Sequence, residues 1–252
     1  MTTAAVPSDP TRLLIAEIAV IWGPTRRETE APPSVVIATA DNALVIECRD
    51  DLPAQQVSEI RTAVQDHQDA SVVGLVQAQL ARALGPLEVT VGPGYDCNSP
   101  QPQPDPVRGR LVRSDQPDPT VPTLRTPPTW EDWDWRALLA GDYGPWAMVV
   151  EDDRVLSLCH SARLAPEGVE AGTWTREEAR GLGLAATATA AWAEACRDLP
   201  GHIFYSTDTA NGSSQRVAAR LGLPLLGQLW KLRVADEGDG PPDTGLTVIW
   251  PN

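Results

Sequence analysis

Val169-Glu-Ala-Gly-Thr-Trp-Thr-Arg-Glu-Glu-Ala-Arg-Gly-Leu-Gly-Leu-Ala185 is the stretch that decides how this chain is read. Gly168 to Trp174 has the pattern of a strand. A polar run, Thr175 to Arg180, separates it from Gly181 and Gly183, where a helix opens and continues to about Cys196. A glycine turn at a helix start presents backbone N–H groups that have no intrahelical acceptor, which suits an anion. Gly181 and Gly183 allow backbone conformations that a Cβ would forbid. Arg176 and Arg180 can add charge-assisted bonds. The alanines at 185, 186, 188, 190, 191 and 193 keep the helix thin enough to lie close on a sheet. The stretch therefore predicts a phosphate-bearing ligand at this turn; the simpler alternative is a helix start with no ligand.

Downstream, His202 to Ser206 reads as a strand and Asn211 to Leu221 as a helix, with Asn211 near its cap and Gly222 just past its end. Leu225 to Val234 and Leu246 to Trp250 are the last two strands. Upstream, Trp146 to Glu151 and Arg154 to Cys159 form a hairpin around Asp152-Asp153. Trp130-Glu-Asp-Trp-Asp-Trp135 opens a helix through Leu139, its tryptophans either lining a cleft or anchoring the preceding loop. Asn98 to Thr129 carries nine prolines in 32 residues and reads as a linker or extended surface loop. It separates an N-terminal region, 1–97, from a C-terminal domain, 130–252. In the N-terminal region, residues 7–10 are expected to be a disordered tail and Leu13 to Trp22 a strand. Ser34 to Ala40 and Ala43 to Arg49 form a hairpin. A helix follows Asp50-Asp-Leu-Pro53, a second covers Ser71 to Leu84, and a short strand runs from Leu87 to Val91.

Composition narrows the function. The chain has 252 residues, 20 basic and 34 acidic side chains, and a net charge of −14. That balance argues against nucleic acid, which is bound by neutralising phosphates with Lys and Arg. It favours solubility and, through long-range attraction, a cationic small molecule. The four cysteines are widely spaced and the three histidines scattered, so no metal site is expected. No apolar run approaches the roughly 20 residues that span a bilayer, and no basic segment precedes an apolar one near Met1. A cytoplasmic protein with reduced thiols and no membrane contact is expected. Trp230 and Trp250 are read as core or as the interface of a homodimer.

Gly181-x-Gly183-x-x-Ala186 also fits the dinucleotide pattern Gly-x-Gly-x-x-Gly/Ala. In that fold the strand runs almost directly into the first glycine. Here the polar run intervenes, and the motif lies late in the chain, after several hairpins.

Glu178 to Gly183 resembles the acyl-CoA loop of the GNAT superfamily of N-acetyltransferases, Gln/Arg-x-x-Gly-x-Gly/Ala, departing from it only at Glu178. Asn211-x-x-Ser214 followed by Leu221-Gly-Leu223 is similar to the family's fourth helix and the glycine that precedes its sixth strand. The resemblance covers about Trp146 to Val234. It implies an α/β (α+β) fold with a mixed, mostly antiparallel central sheet flanked by helices, here with an enlarged N-terminal region. It implies acetyl-CoA as co-substrate and a primary amine, on a small molecule or an exposed protein amino group, as acceptor. It implies cofactor contacts from Thr173, Trp174 and Thr175, from Arg180, Gly181, Leu182 and Gly183, from Leu184 and Ala185, and from Asn211, Ser213 and Ser214. Glu170, on the strand leading to the loop, is the candidate general base; its other reading is an exposed strand residue. A strand-end N–H between Ala171 and Trp174 is the candidate donor to the thioester oxygen. The family's fourth-helix tyrosine, which protonates the leaving thiolate, falls at Ala218 here. That departure supports an alternative, a non-catalytic acyl-CoA-binding sensor or scaffold of the same fold. A nucleotide-dependent oxidoreductase is a third reading.

Overall fold

The computed structural model describes residues 9–23, 33–66, 71–99, 105–235 and 246–249. In chain order the helices and strands are α1 (Pro10–Trp22), β1 (Val35–Ala40), β2 (Ala43–Arg49), α2 (Ala54–Asp66), α3 (Ser71–Leu84), β3 (Leu87–Asp96), β4 (Arg110–Arg113), α4 (Asp132–Ala140), β5 (Trp146–Glu151), β6 (Arg154–Ala165), β7 (Gly168–Thr175), α5 (Leu184–Ala195), β8 (His202–Ser206), α6 (Gly212–Leu221), β9 (Leu225–Val234) and β10 (Leu246–Ile249). They fall into two compact units, one within residues 1–94, 207–210 and 225–252, the other within 95–206 and 211–224.

In the first unit the strands lie in the order β10-β2-β1-β9-β3. β1 pairs antiparallel with β2 and with β9, and β10 pairs antiparallel with β2. The Asp41-Asn42 turn joins β1 to β2 with Ala40 opposite Ala43. β1 is buried on both faces, which its unbroken run Val-Val-Ile-Ala requires. Val35 and Ile37 pack with Ile60, Val64, Val72, Val76 and Leu80 of α2 and α3. Val36 and Ala38, half a pleat away, pack with Leu14, Ile18 and Ile21 of α1. Trp230 joins the α2–α3 side of this core; Trp250 lies outside the described residues.

α1 corrects the expected strand at Leu13 to Trp22. Its aliphatic, β-branched run suggests a strand, but Leu14, Glu17, Ile18 and Ile21 are buried at helical spacing. The Asp9 side chain accepts from the Thr11 N–H at 3.1 Å, and Pro10 starts the helix with the φ it already prefers. Asp9 and Pro10 are thus a helix start, while residues 7 and 8 of the expected tail lie outside the described residues. β3 also runs beyond Val91. A Cβ at Gly92 would lie 1.7 Å from the Thr207 carbonyl oxygen, so glycine lets the 207–210 segment come alongside. Thr207 and Thr209 N–H then donate to the Pro93 and Val91 carbonyls.

In the second unit the strands lie in the order β8-β7-β6-β5-β4. β4 to β7 are antiparallel neighbours, and β7 pairs parallel with β8. Asp152 forms the β5–β6 turn at φ 53°, a left-handed conformation that Asp tolerates. β4 and a single 3₁₀ turn, Val121–Thr123, come from the proline-rich segment expected to be a linker or surface loop. Val112 and Leu124 of that segment are buried in one cluster with Trp135 and Leu138 of α4. Trp130 meets Trp135 edge-on at 6.0 Å, so these two tryptophans anchor the segment, while Trp133 is 65% exposed. On the other face, α5 packs against β4 to β7 and α6. Its alanines at 186, 188, 190, 191 and 193 are all buried, which allows this close approach. Trp192 is the largest side chain in that core, and its indole N–H donates to Ser161 Oγ at 3.1 Å.

Candidate active site

The pairing of β7 with β8 covers only Gly168↔His202, Val169↔Ile203 and Glu170↔Phe204. Among the described residues, β7 has no β8 partner beyond Glu170, although β8 runs on to Ser206, so the two parallel strands part in a V. Thr173, Trp174 and Thr175, on the free stretch of β7, line a cavity of about 660 Å³. Arg180, Gly181 and Gly183 of the turn, Leu184 and Ala185 of α5, and Asn211, Ser213 and Ser214 of α6 line it too. The structure thus brings together every expected cofactor residue except Leu182, whose side chain is 37% exposed and outside the cavity lining.

The turn has the form a bound anion needs. Glu177–Ala179 is a single 3₁₀ turn, closed by the Arg180 N–H donating to the Glu177 carbonyl at 3.1 Å. Gly181 and Gly183 then take φ of 78° and 77°. Gly183 caps α5, and its carbonyl accepts from the N–H groups of Ala186 and Thr187. Among the described residues, the N–H groups of Gly181 to Ala185 have no backbone acceptor. Successive unbonded amides in such a turn, at a helix N-terminus, form a concave anion site.

The polar run ahead of the turn braces it. The Arg176 Nε donates to the Val155 carbonyl at 3.1 Å, and its guanidinium lies 5.7 Å from the Trp174 ring. Arg154 pairs with Glu178 at 2.5 Å. Arg176 is therefore spent on β6 and Trp174 and is absent from the cavity lining. Glu178, the position that departs from the family pattern, is held by Arg154.

Sequence reasoning missed Arg216, Val217 and Arg220, which also line the cavity. A signal was available: counted from Ser213 they fall at i+3, i+4 and i+7, one face of α6. The opposite face buries Ala218 and Leu221. Asn211 caps α6, its side chain accepting from the Ser214 N–H at 3.1 Å. Gly222, at φ 65°, ends the helix in the left-handed conformation, with the Leu223 N–H donating to the Ala218 carbonyl at 3.0 Å.

Glu170 sits at the vertex of the V, on the last pair of the β7–β8 ladder. It is 2% exposed and does not line the cavity. Its Oε1 accepts from both the N–H and the Oγ–H of Ser206, each at 2.7 Å. It is not the exposed strand residue of the alternative reading. Ser206 was not legible as its partner, because the pair depends on the register of two parallel strands 36 positions apart.

No tyrosine stands on α6. The nearest phenol is Tyr205 of β8, 2% exposed, whose hydroxyl donates to the Ser214 carbonyl at 3.3 Å. Burial pushes it up to about 12. It keeps its proton against a thiolate, whose ordinary value is about 8.5. Burial likewise pushes the Cys97 and Cys159 thiols up, which disfavours the thiolate form a nucleophile needs. Among the described residues, no cluster of three or more His, Cys, Asp or Glu could hold a metal ion, and no helix is long and apolar enough to cross a membrane.

The candidate site is thus a cavity where two parallel strands of a mixed sheet part beside the N-terminus of α5. Residues 112–224 match the family described as Acetyltransferase (GNAT) domain. Over these residues the chain is similar to a GNAT acetyltransferase domain, and its mixed, mostly antiparallel sheet flanked by helices is consistent with that fold. Solved structures similar to the chain include a GCN5-related N-acetyltransferase from Kribbella flavida, at 13% identity over 91% of this chain and 97% of that chain, TM-score 0.48. An acetyltransferase of the GNAT family from Colwellia psychrerythraea is 12% identical over 92% of each chain, TM-score 0.46. A GNAT-family protein from Novosphingobium aromaticivorans DSM 12444 is 23% identical over 57% of this chain, TM-score 0.40, and the chain spans 64% of its length. No curated protein matches the sequence.

Proposed function

We propose that the chain transfers an acetyl group from acetyl-CoA to a primary amine. The observation that carries this reading is the turn at Gly181 and Gly183, with its unbonded amides facing the cavity at the start of α5. Acetyl-CoA fits the residues present. Its diphosphate suits the amides of Gly181 to Ala185 and the Arg180 guanidinium. Its pantetheine arm suits the gap between β7 and α6, where Thr173, Asn211, Ser213 and Ser214 offer hydrogen-bonding groups.

Acetyl-CoA supplies an activated thioester carbonyl when bound. The residues of the chain act on the amine. An alkylammonium cannot attack until it loses a proton, and Glu170 is the carboxylate that receives it, directly or through water. Ser206 is a positioning residue: its two donated bonds hold Oε1 at the vertex of the V. A β7 N–H between Ala171 and Trp174, on the edge that has lost its β8 partner, is the donor to the carbonyl oxygen. No side chain need protonate the departing thiolate, since it is a weak base, and Tyr205 keeps its own proton.

The test is release of free thiol from acetyl-CoA in the presence of a panel of amines. Turnover that disappears in Glu170→Gln while donor binding is retained supports the proposal. A second reading is favoured by two observations: Glu170 lies outside the cavity lining, and the buried Ala218 occupies the usual tyrosine position. On that reading the chain binds acyl-CoA as a sensor, and donor binding without turnover on any amine is its signature.

A further inference from the structure

Acetylating an alkylammonium removes two protons from one nitrogen. The first must leave before the nitrogen can attack, and the second leaves once the C–N bond has formed. Glu170, 2% exposed and clamped by Ser206, takes the first and is then occupied. Side chains alternate across a strand. Val169 packs into the α5 core, with Ala171 against it, so Glu170 and Gly172 face the opposite side of the sheet. His160 of β6 stands directly opposite Gly172 in the ladder and shares that face. Its ring meets the Trp130 ring edge-on at 5.1 Å, and Trp130 packs on the α4 cluster.

A Cβ on Gly172 would lie 2.6 Å from His160 Cε1 and 3.1 Å from its Nε2. Gly172 is not one of the glycines at positive φ, so its backbone does not call for glycine. The missing side chain is what lets the imidazole lie against the β7 main chain. That contact falls two residues past Glu170, inside the stretch from Ala171 to Trp174 whose N–H is the donor to the carbonyl oxygen. Trp130 and Trp146, the ring's partners from the α4 side and from β5, are uncharged. The charged groups next along this face are Arg163 and Glu170, opposite each other in the ladder. His160 is half-buried, so a proton it takes can pass on to water. Imidazole is the side chain that gains and loses a proton most readily near neutral pH. We infer that His160 is the second base of the reaction and removes the proton that remains on nitrogen after attack. The step balances: the nitrogen lone pair freed by Glu170 forms the C–N bond, a ring nitrogen of His160 takes the second proton, the C–S electron pair leaves on sulfur, and His160 returns its proton to water. The inference rests on the acetyl-transfer reading above and extends it to the second proton transfer.

The experiment compares the full chain with His160→Gln and His160→Ala, using an amine that the wild type acetylates. Thiol release, calorimetric binding of acetyl-CoA and Tm are measured on the same samples. His160→Gln keeps most of the side-chain volume against Trp130 and is expected to lower kcat at least about 100-fold, with donor Kd within about threefold. His160→Ala is expected to lose as much and to regain about tenfold when free imidazole is added, which a merely structural histidine would not allow. The ring resonance of His160, identified by its loss in His160→Gln, is expected to shift when the amine is added to the CoA-bound chain. A kcat within about threefold of wild type in either variant, a loss that follows the loss of donor binding, no recovery with imidazole, or an unshifted resonance would overturn the role of His160. If Glu170→Gln is slow while the His160 variants are not, the acetyl-transfer reading stands without it. If wild type turns over no amine, that reading fails and His160 with it.

Discussion

Replacing Glu170 by Gln separates chemistry from folding better than any other single change. The amide oxygen of Gln can still accept the two 2.7 Å bonds from Ser206 N–H and Oγ–H. What is lost is their charge assistance, roughly 1 kcal/mol per bond. What is relieved is the desolvation of a carboxylate in a residue only 2% exposed. The two effects oppose each other, so stability should change by no more than about 1 kcal/mol. The proton acceptor, by contrast, is gone. General-base catalysis contributes about 10²- to 10⁴-fold, equivalent to about 3–5 kcal/mol of barrier. The assay is thiol release at saturating donor and amine, with donor affinity measured by calorimetry on the same samples. A fall in kcat of about 100-fold or more, with Kd and Tm nearly unchanged, is expected. A kcat within about threefold of wild type would refute the argument that Glu170 takes the proton.

Three further outcomes follow from particular contacts. Glu47 is 4% exposed, and burial raises its carboxyl from 4.5 to about 7. A raised carboxyl contributes stability at low pH that is lost as the pH climbs from 4.5 through 7, a difference of about 3 kcal/mol. Glu47→Gln should therefore raise Tm at pH 8 and much less at pH 4, which scanning calorimetry at the two values would check; an equal shift at both would contradict it. Gly222→Ala has open space for its methyl but must keep φ at 65°, so it should cost about 1 kcal/mol in chemical denaturation. Trp192→Ala should cost about 3–5 kcal/mol, because it empties the largest side chain from the α5 core and removes the indole N–H bond to Ser161.

The turn at Gly181 and Gly183 is legible in the sequence because its signal is local. Two glycines, a preceding polar run and an alanine-rich helix fix its geometry with little help from the rest of the fold. The α6 cap and the Gly222 stop were legible for the same reason. α1 reads as a strand because aliphatic runs satisfy strand and helix patterns alike, and Asp9-Pro10 reads as a tail although it starts the helix. The Ser206 clamp on Glu170 was hidden, since it exists only through the register of two strands joined by a whole helix. Arg216 and Arg220 were written in the sequence at helical spacing from Ser213, but nothing local distinguishes a cavity-facing arginine from a solvated one. The burial of Val112 and Leu124 in the proline-rich segment was masked by its composition, which resembles a linker while its apolar residues serve the α4 core.

The claim on which the account rests is that the backbone amides of Gly181 to Ala185 grip the diphosphate of acetyl-CoA. Residue-resolved amide hydrogen exchange, with and without saturating acetyl-CoA, tests it directly. The account predicts marked slowing at Gly181, Leu182, Gly183, Leu184 and Ala185 on addition of the donor. Calorimetric binding of acetyl-CoA with exchange at those five amides unchanged would contradict it.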